Sequence, residues 1–108
     1  MTQWKKKKGY DTFSLAEEDT LDQKGTQIQL ARFYTEKYGH YHKKTTEFYY
    51  VLKGEGKAIV DDKEIKLTSG TSLLIRPNEH HTFINEREDT LEVIMFKTNS
   101  EPNDTFTE

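Results

Sequence analysis

The run Phe48-Tyr49-Tyr50-Val51-Leu52 restricts this chain more than any other stretch. Side chains of a strand alternate between its two faces, so Tyr49 and Val51 share a face with Glu47, while Phe48, Tyr50 and Leu52 share the opposite one. Both faces are apolar. A strand of this kind is buried on both sides, which in a small domain requires a cover from the N-terminal segment or from a second copy of the chain. The run therefore predicts a strand within a homodimer.

Other short runs flank it. Residues 27–34 alternate through their first half, with Ile28 and Leu30 on one side and Gln27 and Gln29 on the other. Arg32 is then either a pocket cation or an outer-surface residue, the second being preferred. A polar connection, Thr35-Glu36-Lys37, follows. Gly54-Glu55-Gly56 ends the apolar run, and residues 57–60 and 64–67 flank Asp61-Asp62-Lys63 as a hairpin. Thr68-Ser69-Gly70-Thr71 turns the chain again, and residues 72–75 lead into Arg76-Pro77-Asn78. Pro77 has no N–H to donate to a ladder, so the strand ends or bulges there. The closing strand, residues 90–97, puts Leu91, Val93 and Met95 on one face and Ile94 and Phe96 on the other. Met95 reads as core filler, since a thioether suits copper(I).

All four histidines fall in two clusters, His40 with His42 and His80 with His81. In a strand His40 and His42 point the same way. The four residues before Glu47 are enough to reverse the chain, so Glu47 can open a second strand and face the two imidazoles across one hairpin. A fourth ligand would come from His80 or His81. These two point to opposite faces when extended, so one of them is the ligand and the other a rim residue or a pocket acid or base.

The chain resembles the cupins, small β-barrel proteins. Their first motif is matched by His40-Tyr41-His42, Glu47 and Gly54, and their second by Gly70, Pro77, His81 and Asn85. Tyr34 stands where the first motif usually opens with glycine. The second motif's turn is one residue short, with Asn78-Glu79 in place of its glycine; asparagine also adopts the left-handed conformation such a turn needs. The resemblance implies an all-β double-stranded β-helix, a jelly-roll barrel, over residues 26–97, with residues 1–25 as an N-terminal arm and 98–108 as a polar tail. It also implies metal ligation by His40, His42, Glu47 and His81; Glu47 is in addition the candidate catalytic proton carrier if it leaves the metal during turnover. Tyr49 and Asn85 are candidate neighbours of the ligands, and Arg76, Lys43 and Lys44 candidate cations near the mouth.

Three imidazoles and a carboxylate suit one divalent transition metal, Mn, Fe, Co, Ni, Cu or Zn. Expected activities are those of a dioxygenase, an isomerase or epimerase, or a lyase acting on a small oxygenated, carboxylated or sugar-like molecule. The alternatives are a non-catalytic small-molecule or sugar-binding module and a structural or storage cupin. A chain of 108 residues has room for one core, and its formal charge of −3 offers no general attraction to nucleic acid. It has no cysteine, hence no disulfide or thiolate chemistry, and no apolar run long enough for a membrane span. A cytoplasmic protein is expected. Lys5-Lys6-Lys7-Lys8 reads as a solvated arm laid over the barrel and anchored by Trp4, Tyr10 and Phe13. Ser14 with Glu17 can form a capping box, and the tail after residue 97 reads as frayed.

Overall fold

Leu91, Val93 and Met95 are buried while the residues between them are not, and this period of two recurs along most of the longer strands. A computed structural model of the chain describes residues 3–34 and 39–107. The strands are β1 (Lys5–Lys6), β2 (Tyr10–Ala16), β3 (Gln27–Phe33), β4 (His40–Tyr41), β5 (Thr46–Lys53), β6 (Gly56–Val60), β7 (Lys63–Leu67), β8 (Ser72–Ile75), β9 (His81–Asn85), β10 (Leu91–Thr98) and β11 (Phe106–Thr107), with one short helix, α1 (Glu18–Leu21). The connection Thr35-Glu36-Lys37 lies outside the described residues.

These strands form two antiparallel sheets, one ordered β1-β2-β3-β10-β5-β8 and the other β11-β4-β9-β6-β7. This is the expected all-β jelly roll, built as two sheets that face each other rather than one closed cylinder. Apolar inner residues of both meet between them: Tyr49, Val51, Val93 and Met95 from the first, Ala58, Val60 and Phe83 from the second. Phe33 and Phe83 stack across the gap with ring centroids 4.7 Å apart. Gly56 is required where β6 crosses β9, because a Cβ there would lie 2.2 Å from the carbonyl oxygen of Ile84.

Four sequence expectations change. Residues 10–16 are not a loose cover but a strand of the first sheet, paired with β3 from Tyr10↔Phe33 to Ala16↔Ile28. Both of its faces mix polar and apolar residues, which hid it: Asp11 is buried because Arg32 Nε donates to it at 2.9 Å and the Tyr34 hydroxyl also donates to it. Ser14 does bond Glu17, but from within β2; the helix N-cap is Glu17, without a side-chain cap bond. The tail is not frayed, since β11 pairs with β4 (Phe106↔Tyr41, Thr107↔His40). And His42 to Glu47 is not a hairpin: β4 belongs to the second sheet and β5 to the first, so this loop crosses between sheets.

The register also resolves the face of β3. Gln27, Gln29, Ala31 and Phe33 line the space between the sheets, and Arg32 lies on the outside, its guanidinium 4.0 Å from the Trp4 ring centre. Tyr49 and Val51 point inward as expected. Phe48, Tyr50, Leu52, Leu74 and Phe96, on three neighbouring strands, leave a broad apolar outer face exposed. The N-terminal segment packs elsewhere, through Trp4 against Phe13. Among the described residues no helix is long and apolar enough to cross a membrane.

Candidate metal centre

His40 and His81 are directly paired across β4 and β9, so their side chains leave the second sheet side by side. Their Nε2 atoms are 3.0 Å apart. Glu47 enters from the first sheet: its Oε1 is 3.4 Å from His81 Nε2 and its Oε2 is 3.4 Å from His42 Nε2. All four residues are buried, and one ligand atom from each lies within 4.8 Å of all the others. Two atoms each about 2.1 Å from one ion stand roughly 3.0 Å apart at a right angle and roughly 3.4 Å at a tetrahedral angle. The three separations match that range. The cluster can hold a metal ion.

The imidazoles are oriented for it. His42 Nδ1 donates to the carbonyl of Asp104 at 2.7 Å and His81 Nδ1 to the carbonyl of Glu79 at 3.0 Å, which leaves each Nε2 lone pair turned to the cluster. His42 Nε2 is fully buried and faces Glu47 Oε2 at 3.4 Å. The turn that delivers His81 has Asn78 in the left-handed region at φ 70°, and the Asn78 N–H donates to the His42 carbonyl at 2.6 Å. Two ligand segments are thus tied to each other.

Electrostatics reinforce the geometry. Burial disfavours the Glu47 carboxylate, but hydrogen bonding and charge from His42 and His81 outweigh it and hold the pKa well below the ordinary carboxylate value. Burial likewise opposes a charged His42, and Glu47 overcomes it, raising that imidazole above 6.5. Tyr49 donates its hydroxyl to Glu47 Oε1 at 2.8 Å. Burial first, and then the charge of Glu47, push the phenol well above 10, so Tyr49 remains a proton donor.

Asp104 is a residue that sequence reading missed. Its carboxylate accepts from the backbone N–H of Lys43, Lys44 and Thr45 at 2.9 to 3.0 Å and from the Thr45 hydroxyl at 2.8 Å. Burial raises its pKa, but these donors prevail and bring it to about 2. The only signal in the sequence was an aspartate following Pro102-Asn103 in a polar tail. Other expected residues lie apart from the cluster. His80, just before β9, stacks on Tyr41 with ring centroids 4.3 Å apart. Arg76 is exposed, its backbone N–H bonded to Glu79. Asn85 clamps a loop instead of facing the cavity, donating to the carbonyls of Phe33 and Asp89 and accepting from Arg87 N–H. Lys44 pairs with Glu101 on the surface at 3.0 Å.

Residues 35–97 match the family model described as a cupin domain. The chain is a cupin. No curated protein sequence matches this cupin, but solved structures do, at identities that speak for the fold alone. A variant of Streptomyces PAC13 with uridine aligns at 12% identity and a TM-score of 0.81, over 99% of this cupin and 84% of that chain. KdgF from Halomonas sp. aligns at 15% and 0.77, over 94% and 89%, and ectoine synthase from P. lautus at 13% and 0.77, over 97% and 80%. A further structure of Pac13, there called a nucleoside dehydratase, aligns at 14% and 0.79.

His40, His42 and Glu47 of this cupin line a cavity of about 240 Å³ between the sheets, near the small end of ligand pockets. Tyr49, Phe33 and Phe83 line it as well, Tyr49 packing 4.7 Å from Phe83. Three lysines, Lys5, Lys7 and Lys97, also line it.

Proposed function

We propose that this cupin is a metal-dependent enzyme acting on a small oxygenated molecule, carboxylated or sugar-like, with His40, His42, Glu47 and His81 ligating one divalent first-row transition metal. The observation that carries the reading is the convergence of four buried ligand atoms, three of whose residues, His40, His42 and Glu47, line a cavity between the sheets. Two neighbours of the same fold carry enzyme names, a nucleoside dehydratase and an ectoine synthase.

A metal held there supplies a Lewis acid that polarises a substrate oxygen. The chain's own groups supply proton transfer. Tyr49 keeps a proton against Glu47 Oε1, and Glu47 is the carboxylate that would accept or return one on leaving the metal during turnover. Burial of both groups excludes water from the exchange. Isomerisation or elimination uses such groups directly, and we favour these over dioxygenation.

The test is metal content per chain, after purification without chelator or immobilised nickel, beside a His40→Ala, His81→Ala double variant. About one metal per chain, lost in the variant, supports the centre. Wild-type protein that holds no metal, and takes up none of manganese, iron, nickel or zinc, removes it. Tight ligand binding without turnover in loaded protein would favour a binding module instead.

The exposed outer face of Phe48, Tyr50, Leu52, Leu74 and Phe96 supports the accompanying proposal of a homodimer through this sheet, since apolar patches of this extent seldom stay bare. Sedimentation velocity of wild type against a Phe48→Asp, Phe96→Asp double variant tests it: a dimer that becomes a monomer is expected, and a monomeric wild type refutes it. The absence of cysteine is compatible with a reducing compartment, and the cytoplasm is the proposed location.

A further inference from the structure

The cavity differs in charge from the molecule that contains it. The chain carries a formal charge of −3, yet the cavity lining includes Lys5, Lys7 and Lys97 against a single carboxylate, Glu47. Lysines grouped around a concave, low-dielectric space focus a positive field into it and concentrate anions there. Lys97 is the innermost. It lies opposite Glu47 in the β10–β5 register, its Nζ is 4.0 Å from Glu47 Oε2, and its side chain is only 23% exposed. A divalent ion on Glu47 would add to the same sign.

Beside it stands an unanswered acceptor. Gln29 is opposite Met95 on β3, two residues from Gln27, which is opposite Lys97. Gln29 is 8% exposed, lines the cavity, and its Oε1 is buried with no hydrogen-bond partner. A buried amide oxygen without a donor is costly, on the order of 1–3 kcal/mol, and a site that leaves one inside a cavity is poised for a ligand that brings the donor. Further along the face of β3 that carries Gln29, Phe33 stacks on Phe83 with Tyr10 5.4 Å away, which makes that part of the lining apolar.

We infer that the cavity takes a small hydroxylated organic anion: its carboxylate or phosphate is held by Lys97, with Lys5 and Lys7 at the mouth, and a hydroxyl donates to Gln29 Oε1. Lys97 and Gln29 are the specificity residues. The inference deepens the proposed function and rests on it for the placement of the ligand beside the metal centre, but recognition by Lys97 and Gln29 belongs to the chain alone.

The experiment is calorimetric titration of metal-free and manganese-loaded protein with L-malate and glycerol 3-phosphate, their counterparts without the hydroxyl, succinate and n-propyl phosphate, and the neutral polyol erythritol. At least one hydroxylated anion is expected to bind about tenfold or more tightly than its deoxy counterpart, because a polar site rejects the analogue that leaves its acceptor unpaired. Which of malate and glycerol 3-phosphate binds tells carboxylate from phosphate. Gln29→Leu should reduce that preference to within about twofold, and Lys97→Met should weaken both members of the pair about tenfold or more while the preference remains. Gln29→Glu keeps an acceptor but adds charge, so it should repel every anion; melting curves confirm that each variant is folded. Erythritol binding as tightly as the anions, a hydroxyl preference unchanged by Gln29→Leu, or no binding of any hydroxylated anion overturns the inference. The two proposals fail separately: protein that loads manganese but binds no anion loses this inference and keeps the metal centre. Protein that loads no metal but discriminates malate from succinate through Gln29 does the reverse.

Discussion

The backbone carbonyl of Asp104 accepts the Nδ1 hydrogen of His42 at 2.7 Å, across 62 positions of sequence, while the Asp104 carboxylate gathers three consecutive N–H groups of the loop that follows His42. One residue near the end of the chain thus fixes both the orientation of an imidazole and the path of the chain toward Glu47. Asp104→Asn presents an NH₂ to donors that need an acceptor. It should lower stability by about 1–3 kcal/mol in chemical denaturation and weaken manganese binding by roughly 10- to 100-fold. Unchanged metal affinity in a folded variant would confine Asp104 to loop stability.

The pKa of Asp104, about 2 against an ordinary 3.8, sets an acid limit. A group whose folded pKa is depressed stabilises the fold fully above its unfolded pKa and loses that contribution as pH falls through the folded value. The stability difference between wild type and Asp104→Asn should therefore be flat above about pH 4 and shrink by on the order of 2 kcal/mol toward pH 2. Denaturation midpoints at half-unit steps between pH 2 and 6 measure it.

Tyr49→Phe removes the hydroxyl that donates to Glu47 Oε1 and keeps the ring that packs 4.7 Å from Phe83. Metal affinity should fall by about 10- to 100-fold, as for other partners of metal-bound carboxylates. A competition titration against a fluorescent chelator is the measurement, with the melting temperature as the control for packing.

Gly56→Ala places a methyl group 2.2 Å from the Ile84 carbonyl oxygen, a backbone atom that cannot swing aside. The β6–β9 pairing must open, and a loss of about 1–3 kcal/mol or more is expected from urea unfolding. An equally stable variant would mean that this crossing relaxes more readily than its geometry implies.

Loading with a saturating divalent metal at about 100 times its dissociation constant should stabilise the fold by roughly 2.7 kcal/mol, and chelation should reverse it. The two variants lacking ligands, His40→Ala and His81→Ala, should show no such shift in differential scanning calorimetry.

Much of this was legible because it rests on period and motif. Alternation placed Tyr49 and Val51 on one face and Phe48, Tyr50 and Leu52 on the other, and the resemblance of Pro77, His81 and Asn85 to the second cupin motif separated His81 from His80. What stayed hidden depended on distant partners. The strand Tyr10–Ala16 carries a buried aspartate that looks like a loop residue until Arg32 and Tyr34 are seen beside it. Asp104 looks like any tail aspartate until the loop at Lys43 is folded over it. The crossing of the 42–47 segment between sheets has the same length and composition as a hairpin, and only the pairing of His40 with His81 distinguishes the two. Asn85 kept its motif position but used its amide on Phe33 and Asp89.

That crossing has a mechanical consequence. His40 and His81 hang from one sheet and Glu47 from the other, so an ion shared among them would act as a cross-brace over the seam between the two halves of the sandwich. Without it, separation of the sheets at this end is resisted by packing and hydrogen bonds alone; with it, the same motion must stretch coordinate bonds. The amide hydrogens of β4 and the first residues of β5 should accordingly exchange more slowly with solvent when the ion is present, while those at the far hairpin of β6 and β7, which carries no ligand, keep the same pace.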